Sequence, residues 1–374
     1  MSPRRRRYLY SFVPLLVGLM LAEIGLRLAG FSYESFLGRD YWWNRSAINP
    51  IYEKDPARFW RLRPFANRDA DEPTGQITQL INGDGFRDDP AAREKRPGEF
   101  RVIAVGDSCT FGDGVAGAET YANVLENRLR QALPGRPVQV INAGVPGYTS
   151  FQVRRYLERE LWRWQPDWVV VYVGFNDFVP AANGVTDAER AAVNRFVWIA
   201  QSALDGLRSY QWLNFEIAGI KKRLFPNRMA IGTEVDGRGK HPFRVPSPEF
   251  IRNLEAIDRL GKEKGFCGLL LTLPHQFQDE PLANLYIRYA ASKDQIPLLD
   301  LFSALKVDQE KGEALFGEDG GHPNALGHRR IAEAIFARLQ QTGFAACPPG
   351  KAGTELLPMS ENGRPDDQSG VQSE

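Results

Sequence analysis

The chain has 374 residues, 43% of them hydrophobic and 25% charged, with a formal net charge of +1. This is an ordinary globular composition, long enough for one large domain or two modest ones, and the near-neutral balance gives no electrostatic footprint for a nucleic-acid partner. The three cysteines, Cys109, Cys267 and Cys347, form no Cys-x-x-Cys pair, so neither a zinc site nor a thioredoxin-like motif is indicated.

At the N-terminus, Arg4 to Arg7 precede an uncharged apolar stretch from Tyr8 to Ala22. A span needs about 20 residues, and the apolar pattern extends through Ile24, Leu26 and Leu28 to Phe31. Glu23 and Arg27 are spaced i, i+4 and suit an ion pair. No clean small-x-small cleavage site follows, so an uncleaved transmembrane anchor over residues 1–32 is expected ahead of a cleaved signal peptide. The arginines predict a cytoplasmic N-terminus, with the rest of the chain on the extracytoplasmic, periplasmic side of the membrane.

Residues 33–99 read as a small extension. "RFWRLRPF" and "QITQLI" alternate as short strands and "NGDG" reads as a turn. The segment is too short and irregular to hold a core alone, so it is expected to pack on the main domain.

From residue 100 the pattern alternates. "RVIAV", "VQVINAG", "DWVVVYVGFND", "FCGLLLTLP" and "IPLLDLF" read as five apolar strands. The helices between them include "ETYANVLENRLRQAL", "FQVRRYLERELWRW" and "SPEFIRNLEAIDRLGKEKG", where Ser247 suits a cap and Pro248 the first turn. A last helix starts near Asn324. Continuous apolar strands alternating with helices predict a parallel sheet covered on both faces, with sites at the carboxyl ends of the strands.

Residues 180–246 interrupt the alternation with a helical insertion, opened by a capping box at Thr186 and Glu189, followed by loop-like sequence. The main domain is drawn over 100–347. The polar tail 348–374 reads as disordered. Cys267 begins the fourth strand and Cys347 follows a helix that ends near the strand starts, so these two are placed for a disulfide in an oxidising compartment.

The stretch "GDSCTFGDG", residues 106–114, follows the first strand directly. It is no P-loop, because Asp113 rather than Lys follows Gly112. "GDGVAG" fits G-x-G-x-x-G, but the second strand ends "INAG" without the acidic residue that would hold a ribose. A nucleophile fits better. A serine hydroxyl needs a base, an orienter for that base, and donors for the oxyanion. Of the four histidines, His322 in "EDGGHPNALGH" has Asp319 three residues before it, able to bind one imidazole nitrogen and leave the other for Ser108. His328 lies within the helix pattern, His241 in the insertion, and His275, after the fourth strand, is the competitor. Gly144 ends the second strand and Asn176 the third, offering a backbone N–H and a side-chain amide. Each motif alone has a plain structural reading: a helix-starting turn, a strand-to-helix turn, an Asx-turn. Together they place Ser, Gly, Asn and Asp-x-x-His at successive strand ends.

In these motifs the sequence resembles the SGNH (GDSL-type) hydrolase family over about residues 100–342, and "NGDGFRDD" resembles membrane-anchored bacterial members. Ser108 matches the nucleophile, Gly144 the glycine of the second motif, Asn176 the asparagine of the third, and Asp319 and His322 the Asp-x-x-His motif. The resemblance implies a flavodoxin-like three-layer α/β sandwich with a five-stranded parallel sheet, no cofactor, and ester hydrolysis through an acyl-serine. It further implies oxyanion donors from Ser108 N–H, Gly144 N–H and the Asn176 amide. The expected activity is an extracytoplasmic esterase on acyl esters, such as O-acetyl groups of an envelope glycan, or lipid esters. An O-acyltransferase with the same residues and a catalytically silent glycan-binding domain are the alternatives. Asp107 is read as a brace of the Ser108 turn and Cys109 as a small buried neighbour. The insertion leaves beside Asn176, so a helical cap is expected there, with Trp198, Trp212 or Arg244 reaching a sugar or acyl chain. Its periodic positions, Leu213, Ile217, Ile220 and Leu224, equally suit extra core.

Overall fold

The computed structural model describes residues 3–31, 51–68, 79–181, 185–192, 195–204, 206–224, 242–276 and 280–345. The chain opens with helix α1 (Pro3–Leu28). Two short antiparallel hairpins follow, β1 (Tyr52–Asp55) with β2 (Phe59–Leu62) and β3 (Asn67–Arg68) with β4 (Gln79–Leu80). The "NGDG" turn is an Asx-turn: Asn82 Oδ1 accepts from the N–H groups of Asp84 and Phe86, both at 3.0 Å.

The alternating region then begins with β5 (Phe100–Gly106), α2 (Ser108–Phe111), α3 (Tyr121–Ala132), β6 (Val138–Gly144), α4 (Ser150–Arg159) and β7 (Trp168–Tyr172). The insertion carries α5 (Asp187–Ala191), α6 (Arg195–Leu204) and α7 (Arg208–Leu224). The alternation resumes with α8 (Ser247–Lys264), β8 (Cys267–Leu271), α9 (Leu282–Asp294), β9 (Leu298–Leu299), α10 (Leu301–Glu310) and α11 (Ala325–Gln341).

The sheet is five-stranded and parallel, in the order β6-β5-β7-β8-β9. α3 and α11 pack together on one face, and α4, α8 and α9 on the other. This double cover is why β5, β7 and β8 are buried at every position and read as unbroken apolar runs. Register aligns Gly106 with both Gly144 and Tyr172, so three strands end at one level.

Several expectations shift in detail. The fifth strand pairs only at Leu298–Leu299, because Asp300 caps a helix, its Oδ1 accepting from Ser303 N–H at 3.2 Å. Pro246, not Ser247, is the N-cap of α8. Thr186 caps α5 as a capping box. The extension packs on the sheet domain, with Tyr148 Oη donating to Trp60 O at 2.7 Å and Gln152 Nε2 to Arg58 O at 2.7 Å. Trp168 Nε1 donates to Ala345 O at 2.9 Å, bringing the chain after α11 to the start of β7, beside Cys267. Cys347, the tail from 348 and His241 lie outside the described residues.

The expected transmembrane anchor is not shown. α1 forms, but among the described residues no helix is long and apolar enough to cross a membrane. The uncharged stretch Tyr8–Ala22 covers about 22 Å at 1.5 Å per residue, against roughly 30 Å of hydrocarbon. Glu23 and Arg27 close it and pair at 2.7 Å. Of the insertion helices, α5 packs Ala188 and Ala191 on the core, whereas α7 is not core: it packs against α1, and Leu213, Ile217, Ile220 and Leu224 are exposed.

Candidate active site

Two glycines let the Ser108 turn sit on the strand ends. A Cβ on Gly106 would lie 2.1 Å from Tyr172 O, and one on Gly144 would lie 2.2 Å from Phe111 N. α2 is therefore laid directly across β5 and β6. Asp107 caps it, Oδ1 accepting from Cys109 N–H at 3.0 Å. Burial pushes the Asp107 carboxyl up to about 6. At the other end Gly112 takes φ +90°, a conformation that costs L-residues with a Cβ. Arg87, buried, reaches from the "NGDGFRDD" segment and donates to the carbonyls of Phe111 at 2.8 Å, Gly112 at 2.5 Å and Val115 at 2.6 Å. These are groups a four-residue helix cannot satisfy itself.

The structure brings Ser108, His322 and Asp319 into one hydrogen-bonded chain. His322 Nε2 lies 2.8 Å from Ser108 Oγ, and Nδ1 lies 2.5 Å from Asp319 Oδ2. Asp319 Oδ1 accepts from the N–H groups of Gly321 and His322, both at 2.9 Å. Burial favours neutral His322, but the Asp319 hydrogen bond and the charges of Asp113, Asp319 and Asp107 outweigh it and raise its pKa above the ordinary value. Burial likewise opposes the Asp319 charge, yet the N–H donors and the imidazole hold its pKa below the usual carboxylate value.

The other histidines stand elsewhere. His328 is fully buried, its Nδ1 accepts from Tyr121 N–H at 3.2 Å, and burial pushes its pKa down to about 3. His275 meets the Phe302 ring edge-on. Cys109 is a free thiol whose pKa burial drives up.

Gly144 is corrected as an amide donor. Its N–H donates to Asn142 Oδ1 at 3.1 Å, and the residue is glycine because α2 leaves no room for a Cβ. Gly147, three residues on, stands at φ +80°, and its N–H meets no acceptor among the described residues. The preceding carbonyl, Pro146 O, accepts from Trp60 Nε1 at 3.2 Å. In a trans peptide the C=O and N–H point opposite ways, so the indole fixes the aim of the Gly147 N–H. The sequence signal was the second glycine of "NAGVPG", a turn position that needs positive φ. Asn176 is buried where β7 gives way to a short 3-10 turn, its Nδ2 3.2 Å from Tyr148 O and 3.3 Å from Asp107 Oδ2. It links the serine turn to the Gly147 loop.

The proposed pocket residues separate. Arg244 is fully buried and faces no open pocket. It pairs with buried Asp187 at 3.0 Å and donates to Gly147 O and Gln152 Oε1, both at 2.9 Å. Its segment returns beside Asp177 and Val179, which turns an apparent surface cation into an internal strut. Trp212 is 46% exposed on α7, and no hydrogen bond or ring contact among the described residues joins it to the Ser108 turn. The Trp198 side chain lies outside the described residues.

The sequence profile of the GDSL-like Lipase/Acylhydrolase family matches residues 104–330, more than half of the chain. A search of curated proteins finds no match. Among solved structures, a lipase/acylhydrolase from Enterococcus faecalis is 20% identical with a TM-score of 0.41, over 65% of this chain and 96% of that one. An acetylxylan esterase from Geobacillus stearothermophilus is 18% identical with a TM-score of 0.42, over 64% and 94%. With the family profile spanning Ser108, Asn176, Asp319 and His322, the chain belongs to the GDSL-like lipase/acylhydrolase family and is an SGNH-type ester hydrolase.

Proposed function

We propose that the protein hydrolyses short acyl esters of a hydroxylated substrate, such as O-acetyl groups on a glycan, through an acyl-Ser108 intermediate. The observation that carries this reading is the Ser108–His322–Asp319 chain at the carboxyl edge of the sheet. Neutral His322 takes the Ser108 proton as Oγ bonds to the carbonyl carbon, and the carbonyl π pair moves onto oxygen. Ser108 N–H and Gly147 N–H supply donors for that oxyanion, and Asn176 Nδ2 joins them by exchanging its contact with Tyr148 O or Asp107 Oδ2. Collapse breaks the bond to the alcohol, which leaves with the proton from His322. Water then attacks the acyl-serine with His322 again as base, and the acid departs. Asp319 holds the imidazole tautomer and offsets its charge.

The Arg-flanked apolar N-terminus supports an extracytoplasmic enzyme held at the membrane by α1. The test of the chemistry is direct. A chromogenic acetyl ester should be turned over, and an active-site-directed phosphonate should add its mass to Ser108. Ser108→Ala should abolish both, with unchanged circular dichroism. Turnover persisting in Ser108→Ala would overturn the mechanism.

A further inference from the structure

α1 and α7 lie about 180 residues apart in sequence and meet at a polar junction. Glu23 Oε1 accepts from Arg208 N–H at 3.0 Å, and Oε2 accepts from Ser209 N–H at 2.8 Å and Ser209 Oγ at 2.9 Å. Arg27 donates to Glu23 at 2.7 Å and to Gly206 O at 2.9 Å. A carboxylate from one helix thus caps the next.

Around this junction the surface is apolar. On α7, Leu213, Ile217, Ile220 and Leu224 form one exposed stripe at helical spacing. On α1, exposed Leu16, Leu19, Met20, Leu21, Ile24 and Leu28 cover more than half of the helix circumference at 3.6 residues per turn. A protein groove contacts one stripe of a helix, whereas lipid accommodates so broad an arc. Basic residues flank the surface in sequence: Arg4 to Arg7 open α1, and Lys221, Lys222 and Arg223 close α7. That arrangement complements anionic headgroups.

We infer that α1 and α7 together form one lipid-docking face on an anionic membrane. The inference rests on the reading that the enzyme works at a membrane, and adds that the insertion is part of the attachment. It explains why the α7 stripe is left uncovered by the sheet domain.

The test uses the full chain with vesicles of phosphatidylcholine, alone or mixed with phosphatidylglycerol, some carrying brominated acyl chains. Flotation should be stronger with the anionic mixture. Bromolipid should quench Trp212, so Trp212→Phe should show a smaller quenched fraction than the parent. The triple substitution Leu213→Gln, Ile217→Gln and Ile220→Gln should weaken vesicle binding by about tenfold or more, with turnover of a soluble acetyl ester unchanged as the check on folding. Equal quenching in parent and Trp212→Phe, with binding intact, would show that α1 docks alone and would overturn the role of α7 while leaving the membrane reading standing. No flotation with either lipid would overturn both. A dimer in sedimentation, dissociated by the triple substitution, would mean that a second copy covers the face, and would also overturn the inference.

Discussion

His322 sits at the meeting point of three carboxylates. Asp319 is in contact, and Asp113 and Asp107 act through space. All three favour imidazolium, against burial. The pKa of the free enzyme is therefore displaced upward from about 6.5, and the base is neutral only above the displaced value. Because neutral imidazole is the form that accepts the Ser108 proton, kcat/KM should climb with pH through an apparent pKa above 6.5 and then level off. Asp319→Asn removes the in-contact charge and leaves an amide in place of the carboxylate. Its plateau should fall by about 10²- to 10⁴-fold, and the midpoint of its rise should move to lower pH. A pH–rate profile of the two proteins checks this. An unmoved midpoint would show that Asp319 does not set the charge of His322.

At the scale of elements, the β1–β2 hairpin acts on the site without touching it. Trp60 is buried, its indole holds Pro146 O, and its own carbonyl is held by Tyr148 Oη. Trp60→Phe keeps most of the buried ring and deletes the N–H that aims the Gly147 peptide. One hydrogen bond is worth about 0.5–1.5 kcal/mol, so kcat should fall roughly 3- to 10-fold, with KM little changed. A rise in KM at constant kcat would instead make Trp60 a substrate contact. This coupling could not be read in the sequence, because it joins residues 86 apart. What was legible has a local cause. The strands announced themselves because both faces are buried, and Asp-x-x-His because three residues bring a carboxylate back to its imidazole. The sequence points to Gly144 as the donor, whereas only the placement of α2 decides which glycine of "NAGVPG" makes room and which frees an amide. The α7 stripe gave its period but not what it faces. α9 escaped notice because its buried face, Ala283, Asn284, Ile287, Ala290 and Ala291, is mostly small and partly polar, which blunts the apolar period.

At the scale of the whole molecule, the insertion divides into a foot and an arm. The foot is stitched to the carboxyl edge by backbone bonds: Val245 N–H to Asp177 O at 3.0 Å, Arg244 N–H to Val179 O at 2.9 Å, and Asp187 N–H to Arg244 O at 2.9 Å. Its buried Arg244–Asp187 pair also grips Gly147 O and, through Asp187 Oδ2, Thr149 Oγ1 at 2.7 Å. In the arm, α6 and α7, it is α7 that packs against α1 instead. Replacing residues 193–241 with a flexible linker of about ten residues, which reaches roughly 30 Å, removes the arm and spares every bond of the foot. Turnover of a minimal acetyl ester should then stay within about threefold of the parent, since the backbone bonds that hold the foot to the carboxyl edge are kept. Arg244→Met should do the opposite. It strands the Asp187 carboxylate in the interior, a change that costs about 3–5 kcal/mol, and releases the Gly147 carbonyl. Its denaturation midpoint and its kcat should both drop, with the arm intact. Steady-state kinetics and urea unfolding of the two proteins, side by side, decide the matter: loss of minimal-ester turnover on removing the arm would assign α6 and α7 to the active site after all.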